Sequence, residues 1–578
     1  MDARRFAPLL PVSLLVLFTT CRDAPTPVSP DALPPNFARK CDEPPCGKDK
    51  PGGKPGDTGG QVAGNFAIRF DGTQGTETPD SDDLDLTNTF TIEGWIKPTS
   101  PAGFGDQAII AKWGLSVSAS YIVVLENDGR LALVTHDRTP PASNTKLFSA
   151  QPLPAGVWQH FAFVFDSGEV TLYLNGAFNN SRTGMNTPSV TTSLVSLGRE
   201  NSPEGFVGKL YRGAIDEVRI WNVVRSAKKI DQNYDKEISP KSKGLVAYWK
   251  MNEGRGQVLL DATGNGHDTQ LGDSPDADAA DPTWALKWES LANLPTAVRA
   301  SAAETDASSA FVFGGAQNVN DEVNDTQIYD VATNTWSLGT ARDPVKAFNM
   351  AAAMSDGIHV VGGFNTAHLN NHDVYDAGAD SWSTRAAMPI AIHAGTAQSV
   401  EDELYVMTGG RFSAVALNQI YDAASNTWSP GAPRPVEGGT FASAVIDGLI
   451  YVTGGQAAGG TITHDELHSY DPDTDSWQPL ASMPGERSAL GGGAIGGQFC
   501  VFGGRTANPN PTGARFADTF CYDPTTDSWT QGPDMITPRA EMASAELGHT
   551  IYALGGRPQN DALHSNFAER LVPDTPFP

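Results

Sequence analysis

The chain is poor in cysteine, in positive charge and in long apolar runs. Its five cysteines are Cys21, Cys41, Cys46, Cys500 and Cys521. Neither close pair, Cys41/Cys46 or Cys500/Cys521, has further Cys or His at the recurring spacing of a four-ligand zinc site, which argues against zinc. Lys and Arg number 40 against 67 Asp and Glu, a formal charge of −27. Such a surface repels a polyphosphate backbone and an anionic bilayer, so nucleic-acid binding is not expected and a membrane would be met only through an anchor. The stretch Phe6 to Phe18 is shorter than the roughly 20 apolar residues of an ordinary span, and no later segment is longer. Methionine is scarce, at 10, whereas 59 Gly, 41 Pro and 12 Trp describe many short strands joined by turns, an all-β class. The 578 residues exceed what one hydrophobic core organises, so two to four domains are expected.

Arg4 and Arg5 precede the apolar stretch and Thr19, Thr20 and Cys21 follow it, which reads as an export signal over residues 1–21. Cys21 stands where a bacterial lipoprotein carries its lipidated cysteine, although Phe18-Thr19-Thr20 fits a lipobox imperfectly. Lipid anchorage and plain secretion are the two outcomes this allows. Residues 22–63 are Pro, Gly, Lys and Asp, too polar to bury a core, and are expected to form a flexible tether. In an oxidising compartment Cys41–Cys46 and Cys500–Cys521 can each close as a disulfide.

From about residue 284 a unit recurs. Gly314-Gly315, Gly362-Gly363, Gly409-Gly410, Gly454-Gly455, Gly503-Gly504 and Gly555-Gly556 each end a short apolar run. Five are followed by Tyr-Asp and, seven residues after the Tyr, by Trp: Tyr329/Trp336, Tyr375/Trp382, Tyr421/Trp428, Tyr470/Trp477 and Tyr522/Trp529. The last copy lacks a Trp and has Phe567 in the Tyr place, while Trp288 precedes the first copy. Six diglycines thus meet six tryptophans, which predicts a six-bladed β-propeller closed by a strand around Trp288. The repeat resembles the kelch repeat over residues 284–573.

Residues 64–275 alternate apolar and polar residues in short runs, as half-buried strands do, and Asn175-Gly176 is a hairpin turn signal. The segments Phe70-Asp71-Gly72, Phe90 to Ile96, Trp158 to Ala162, Leu172 to Gly176 and Ile215 to Trp221 resemble the LamG-like jelly roll of the concanavalin A-like superfamily. A short linker, 276–283, is expected between the domains, and one helix over Ser226 to Tyr234 with Ser226 as N-cap. His160 lies in a strand signature and is read as packing. Asp216 and Glu217, adjacent on a strand, should face opposite sides and so not act as a glycosidase pair. Asp261 and Asn265, in the Gly-rich loop Asp261 to His267, are candidate calcium ligands, with a plain turn as the alternative.

No residue set demands chemistry, so the leading expectation is an exported surface binding or adhesion protein. The resemblance implies glycan or protein recognition by the jelly roll. For the propeller it also implies an alternative, a sugar-active enzyme of the sialic-acid epimerase kind, which needs only acidic and basic groups around a channel mouth. A kelch copper oxidase does not fit the placement of His359, His372, His393 and the other propeller histidines, and a passive spacer is the third reading. About ten residues after each Trp stand Arg299, Lys346, His393, Glu437, Arg487 and Arg539, and after diglycines stand Arg411, Arg505 and Arg557. The resemblance implies that these line one mouth of the ring. There they would bind an anionic glycan, a surface polysaccharide or an acidic peptide, with Glu437 orienting it.

Overall fold

The computed structural model describes residues 66–575 apart from 101–102, 115–118, 202–206, 276, 278–280, 319–320, 345, 410–414, 458–459, 507–513 and 560–563. Cys21, Cys41, Cys46 and Arg411 lie outside the described residues.

The N-terminal domain is a jelly-roll sandwich. One sheet runs in the order Ala177–Thr183, Glu169–Leu174, Gln159–Asp166, Thr89–Pro98, Arg212–Trp221, Ile68–Asp71, Thr283–Trp284, with Leu245–Trp249 also paired to Arg212–Trp221. The other runs Ser196–Leu197, Gln107–Lys112, Tyr121–Leu125, Leu131–Asp137, Ser143–Phe148. Asn175 and Gly176 both have positive φ, 47° and 79°, as a tight hairpin turn requires. The helix is shorter than its sequence pattern suggests, Ala227–Asp231, and Ser226 caps it by accepting from the Lys229 N–H at 3.4 Å.

The strand carrying Asp216 and Glu217 corrects a simpler picture. A bulge lies between Asp216 and Arg219, with Glu217 at φ 53°, so strict alternation fails and both carboxyls are buried. Glu217 pairs with Arg219 and Tyr248, and Glu93 accepts from Trp221 Nε1 at 3.1 Å. This is a buried charge network belonging to the core, and His160 packs beside it on Trp95 and Tyr234, at 5.5 and 5.7 Å between ring centroids. Burial, then Arg219 and Arg225, hold the His160 imidazole well below its usual pKa and therefore neutral.

The C-terminal domain is a six-bladed propeller of four-stranded sheets. In the sixth, Leu286–Ser290 pairs with Ala568–Pro573, register Trp288↔Leu571, and closes the ring. Leu571, not Phe567, therefore occupies the place that Tyr holds in the other blades, where Tyr329↔Trp336 and Tyr375↔Trp382 are the equivalent pairs. Around the outside, every blade's Trp indole N–H donates to a carbonyl of the preceding blade: Trp336 to Ala292, Trp382 to Thr340, Trp428 to Ala386, Trp477 to Ala432, Trp529 to Ala481 and Trp288 to Pro533. Cys500 and Cys521 are directly opposed on neighbouring strands, 4.0 Å between Cα atoms, and joined by a disulfide.

The glycines have a specific cause. The second glycine of each pair donates its N–H to the next blade: Gly315 to Lys346, Gly363 to Ile392, Gly455 to Arg487, Gly504 to Arg539 and Gly556 to Val298. The first glycine lies so close to that carbonyl that a Cβ would stand 2.5 Å from it at Gly362 and Gly555, a contact no side chain tolerates. In the third blade Gly409 makes the equivalent bond, to Gly438. The structural pair there is thus Thr408-Gly409, with Thr408 at φ 50°, one residue earlier than the Gly409-Gly410 expected from the sequence.

Among the described residues the two domains share a joint. Thr283–Trp284 is an edge strand of the jelly roll, paired with Ile68–Asp71, and the chain enters the closing propeller strand two residues later. One continuous apolar core runs from Phe66, Trp284 and Leu286 through Trp288 to Phe502, Ile551 and Leu571. Lys97 pairs with Asp574 at 2.8 Å, Arg255 with Asp447 at 2.9 Å, and the Gly256 N–H donates to Asp523 at 2.8 Å. Residues 281 onward of the expected linker are part of this joint.

Candidate functional site: one mouth of the propeller channel

Six residues form a closed belt at the start of the innermost strands. Ala300 donates its N–H to the Glu541 carbonyl, Phe348 to Ala300, Ala394 to Phe348, Thr440 to Ala394, Ala489 to Thr440 and Glu541 to Ala489, at 2.6–3.0 Å. All six have φ between 54° and 62°. None is glycine, so each carries a left-handed backbone that an L-residue adopts only when its surroundings impose it. Inside the belt the six inner strands line a central cavity of about 190 Å³.

The belt sets which side chains reach the mouth. The residue before each belt position pairs with the residue after the glycine pair: Arg299↔Ala316, Ala347↔Phe364, Gly439↔Gln456, Ser488↔Arg505 and Ala540↔Arg557. Paired residues share a face of the sheet, so Arg299, Arg505 and Arg557 gather on one side of the mouth. Arg515, bridged to Arg505, joins them from the loop that follows. Glu541, the only charged belt residue, sits among these guanidiniums, 2.7 Å from Arg299 Nη1 and 3.5 Å from Arg505 Nη2. Burial and then the like charges of Arg515, Arg557 and Arg299 depress the pKa of Arg505, while Glu541 opposes them. Nε of Arg299, Arg505 and Arg557 has no hydrogen-bond partner among the described residues.

Three of the cations expected at the mouth are elsewhere. Lys346, Arg487 and Arg539 stand two residues before the belt, not one, and a strand turns side chains to opposite faces at each step. They point back into their own blades. Lys346 and Arg342 hold Asp373 at 2.8 and 2.9 Å, Arg487 lies 3.4 Å from Asp518, and Arg539 pairs with Glu569. Burial, then Arg342, push the Lys346 ammonium down to about 8. Val298 and Ile392 fill the same position in the first and third blades and are buried, as an inward position requires. Glu437 is exposed and stands three residues before the belt, so the carboxylate among the arginines is that of Glu541. His393 does face the mouth, one residue before Ala394, but among aromatic rings: Phe364 at 5.4 Å, Phe348 at 5.9 Å and His368 at 4.5 Å.

Sequence reasoning missed Glu541 and Arg515. Glu541 had a signal: the belt residue follows its Trp by twelve in every blade, from Trp288 to Ala300 through Trp529 to Glu541. Arg515 had none, since only folding brings its loop to Arg505. Also unread was the Asn or Asp five residues after each Tyr. Asn334, Asp380, Asn426, Asp475 and Asp527 each accept the Tyr hydroxyl at 2.7–2.9 Å.

The loop proposed for calcium is a turn organised by its own carboxylate. Asp261 accepts from the N–H groups of Tyr248, Thr263 and His267 and from the Thr263 hydroxyl, and the Asn265 amide donates to the Val246 carbonyl at 2.7 Å. With these oxygens committed, the geometry lends the calcium reading no support. Among the described residues no group of three or more His, Cys, Asp or Glu is arranged to hold a metal.

Two carboxyls line the same cavity away from the belt. Burial raises Glu304 to about 8, with the charge of Glu546 adding to it, and raises Glu546 to about 7. Both folded values exceed the ordinary 4.5, so the native state holds more protons than the unfolded one. Their stabilisation is complete below about pH 4.5 and is lost as pH rises through 7 to 8. Burial likewise lowers His372 and His468 to about 4, whose contribution is present above about 6.5 and lost on acidification. Stability should therefore fall on both sides of neutrality. Glu304→Gln with Glu546→Gln should be more stable than the parent at pH 9, on the order of 2 kcal/mol because channel water tempers the shift. Unfolding midpoints at pH 6 and 9 measure this, and an identical pH 6-to-9 change in both proteins would contradict it.

The chain matches two family models. Residues 70–231 match that of the concanavalin A-like lectin/glucanases superfamily, and residues 310–558 that of the attractin/LZTR1 beta-propeller. Curated relatives include the N,N-dimethylformamidase beta subunits of Paracoccus aminophilus, 25% identical over 265 residues, and of an Alcaligenes species, 24% identical over 267 residues. Each match covers 40% of this chain and 34% of the relative. The chain thus spans about a third of the length of these curated relatives, and the amidase activity in their name is theirs.

Proposed function

We propose that this chain is an exported surface binding or adhesion protein, tethered through Cys21, whose propeller captures a carboxylate-bearing ligand. The observation that carries this is the mouth cluster, in which Arg299 and Arg505 pair with Glu541 and Arg515 and Arg557 lie close to Arg505. On a protein of net charge −27, four guanidiniums gathered about Glu541 and Arg505 among the described residues concentrate positive charge at a cavity rim. Planar guanidinium forks pair carboxylates with two parallel hydrogen bonds. The ligand is an anionic glycan, a surface polysaccharide or an acidic peptide, and Glu541 holds the arginines in place before it arrives. The jelly roll, matched to a lectin superfamily, is the second recognition module.

The test is calorimetric titration of the full chain with oligogalacturonate and with poly-L-glutamate. Arg505→Ala with Arg557→Ala should weaken binding at least 100-fold, and affinity should fall steeply with salt. Parental affinity in the folded double variant would overturn this site.

A further inference from the structure

The mouth is two-sided. Opposite in character to the arginines of the first, fifth and sixth blades is a ring patch on the second and third: Phe348, Phe364, His368 and His393. Phe364 occupies, in the second blade, the place that Arg505 and Arg557 hold in the fifth and sixth, and His393 occupies that of Arg299. Phe348 is a belt residue at φ 55°, as Glu541 is at φ 58°, and both line the central cavity. In the other blades the belt residue is Ala300, Ala394, Thr440 or Ala489. Only Phe348 and Glu541 project large side chains there.

The packing of the patch leaves ring surface open on Phe348, Phe364 and His368, with His393 buried against them. His368 stands 4.5 Å from His393 and 5.9 Å from Phe364, edge-on to both, and is exposed, while Phe348 and Phe364 are half-buried. Half-buried aromatic rings at a cavity rim offer apolar faces without the cost of ordering long side chains, and a few polar groups nearby set orientation.

We propose that Phe348, Phe364, His368 and His393 form a stacking subsite for the C–H face of a sugar ring whose carboxylate is held by the arginine cluster, so that the ligand is a uronate-type acidic glycan. This rests on the arginine site proposed above. A uronate has a rigid ring with one apolar face and a carboxylate at its edge, and so matches a mouth that is aromatic on one side and cationic on the other. An acidic peptide satisfies the arginines alone, having no obligatory ring to stack.

The experiment uses the full chain, with oligogalacturonate and poly-L-glutamate as probes. Phe348→Ala with Phe364→Ala is compatible with the fold, because alanine already occupies the equivalent places at Ala300, Ala394 and Ala316. This variant should bind oligogalacturonate at least 10-fold more weakly and poly-L-glutamate within twofold of the parent. Equal losses for both probes, or no loss for either, would overturn the stacking subsite. Parental binding of poly-L-glutamate without oligogalacturonate would overturn it too, while Arg505→Ala/Arg557→Ala still losing the peptide would leave the arginine site standing. If neither probe binds the parent, both proposals fall.

Discussion

Arg539→Ala is expected to destabilise the propeller by about 3–5 kcal/mol, whereas Arg505→Ala should cost less than about 1 kcal/mol. Both residues are arginines near one mouth, and the difference is where the charge ends up. Arg539 is fully buried, pairs with Glu569 and donates to the Ala553 carbonyl at 2.9 Å. Removing it strands the buried Glu569 carboxylate, which retains only the Ile536 N–H at 3.2 Å among the hydrogen bonds described. Arg505 is one of several cations sharing Glu541, so its loss relieves like-charge repulsion as it removes a pair. Urea unfolding of the two single variants measures the difference. Equal destabilisation would mean that Arg539 is not the blade-internal residue described here.

Trp288→Ala should cost about 3–5 kcal/mol and should lower the unfolding midpoint of both domains together. The indole packs edge-on against Phe502 at 4.9 Å and donates to the Pro533 carbonyl and the Thr519 hydroxyl, each at 3.1 Å. It lies on the strand that closes the ring, within the core that continues to Phe66 and Trp284. Loss of the large side chain leaves a cavity at the point where the domains meet and frees two acceptors, of which the Thr519 hydroxyl is buried. Denaturation followed by limited proteolysis reads the outcome. Two separate transitions, with only the propeller shifted, would contradict a shared core.

The same joint explains why composition does not announce the strand Thr283–Trp284. Residues 276–283 are Asp, Ala, Pro and Thr, a composition that by itself describes a loop, and Thr283–Trp284 is too short to show alternation. Its strand character comes from the partner strand Ile68–Asp71, more than 200 positions away. Asp216 and Glu217 were misjudged for a related reason, because a bulge is decided by pairing across the sheet and breaks the two-residue period that a strand sequence implies.

Sequence alone determined the architecture. Glycines that a neighbouring carbonyl forces, a Tyr and Trp at constant spacing, and a displaced Trp288 are local requirements repeated six times, so each copy reports the same geometry and the ends report closure. The kelch resemblance adds the expectation that cations line one mouth. Only the tertiary structure decided which of them face it. A shift of one residue along a strand carries a side chain from the mouth to the blade interior, as between Arg299 and Arg539, and the acids that consume Arg487, Arg539 and Lys346 come from other segments of the blade. Arg505, Arg515 and Arg557 lie near Arg299 and Glu541 because ring closure sets the first blade beside the sixth, and because the loop carrying Arg515 folds back onto Arg505.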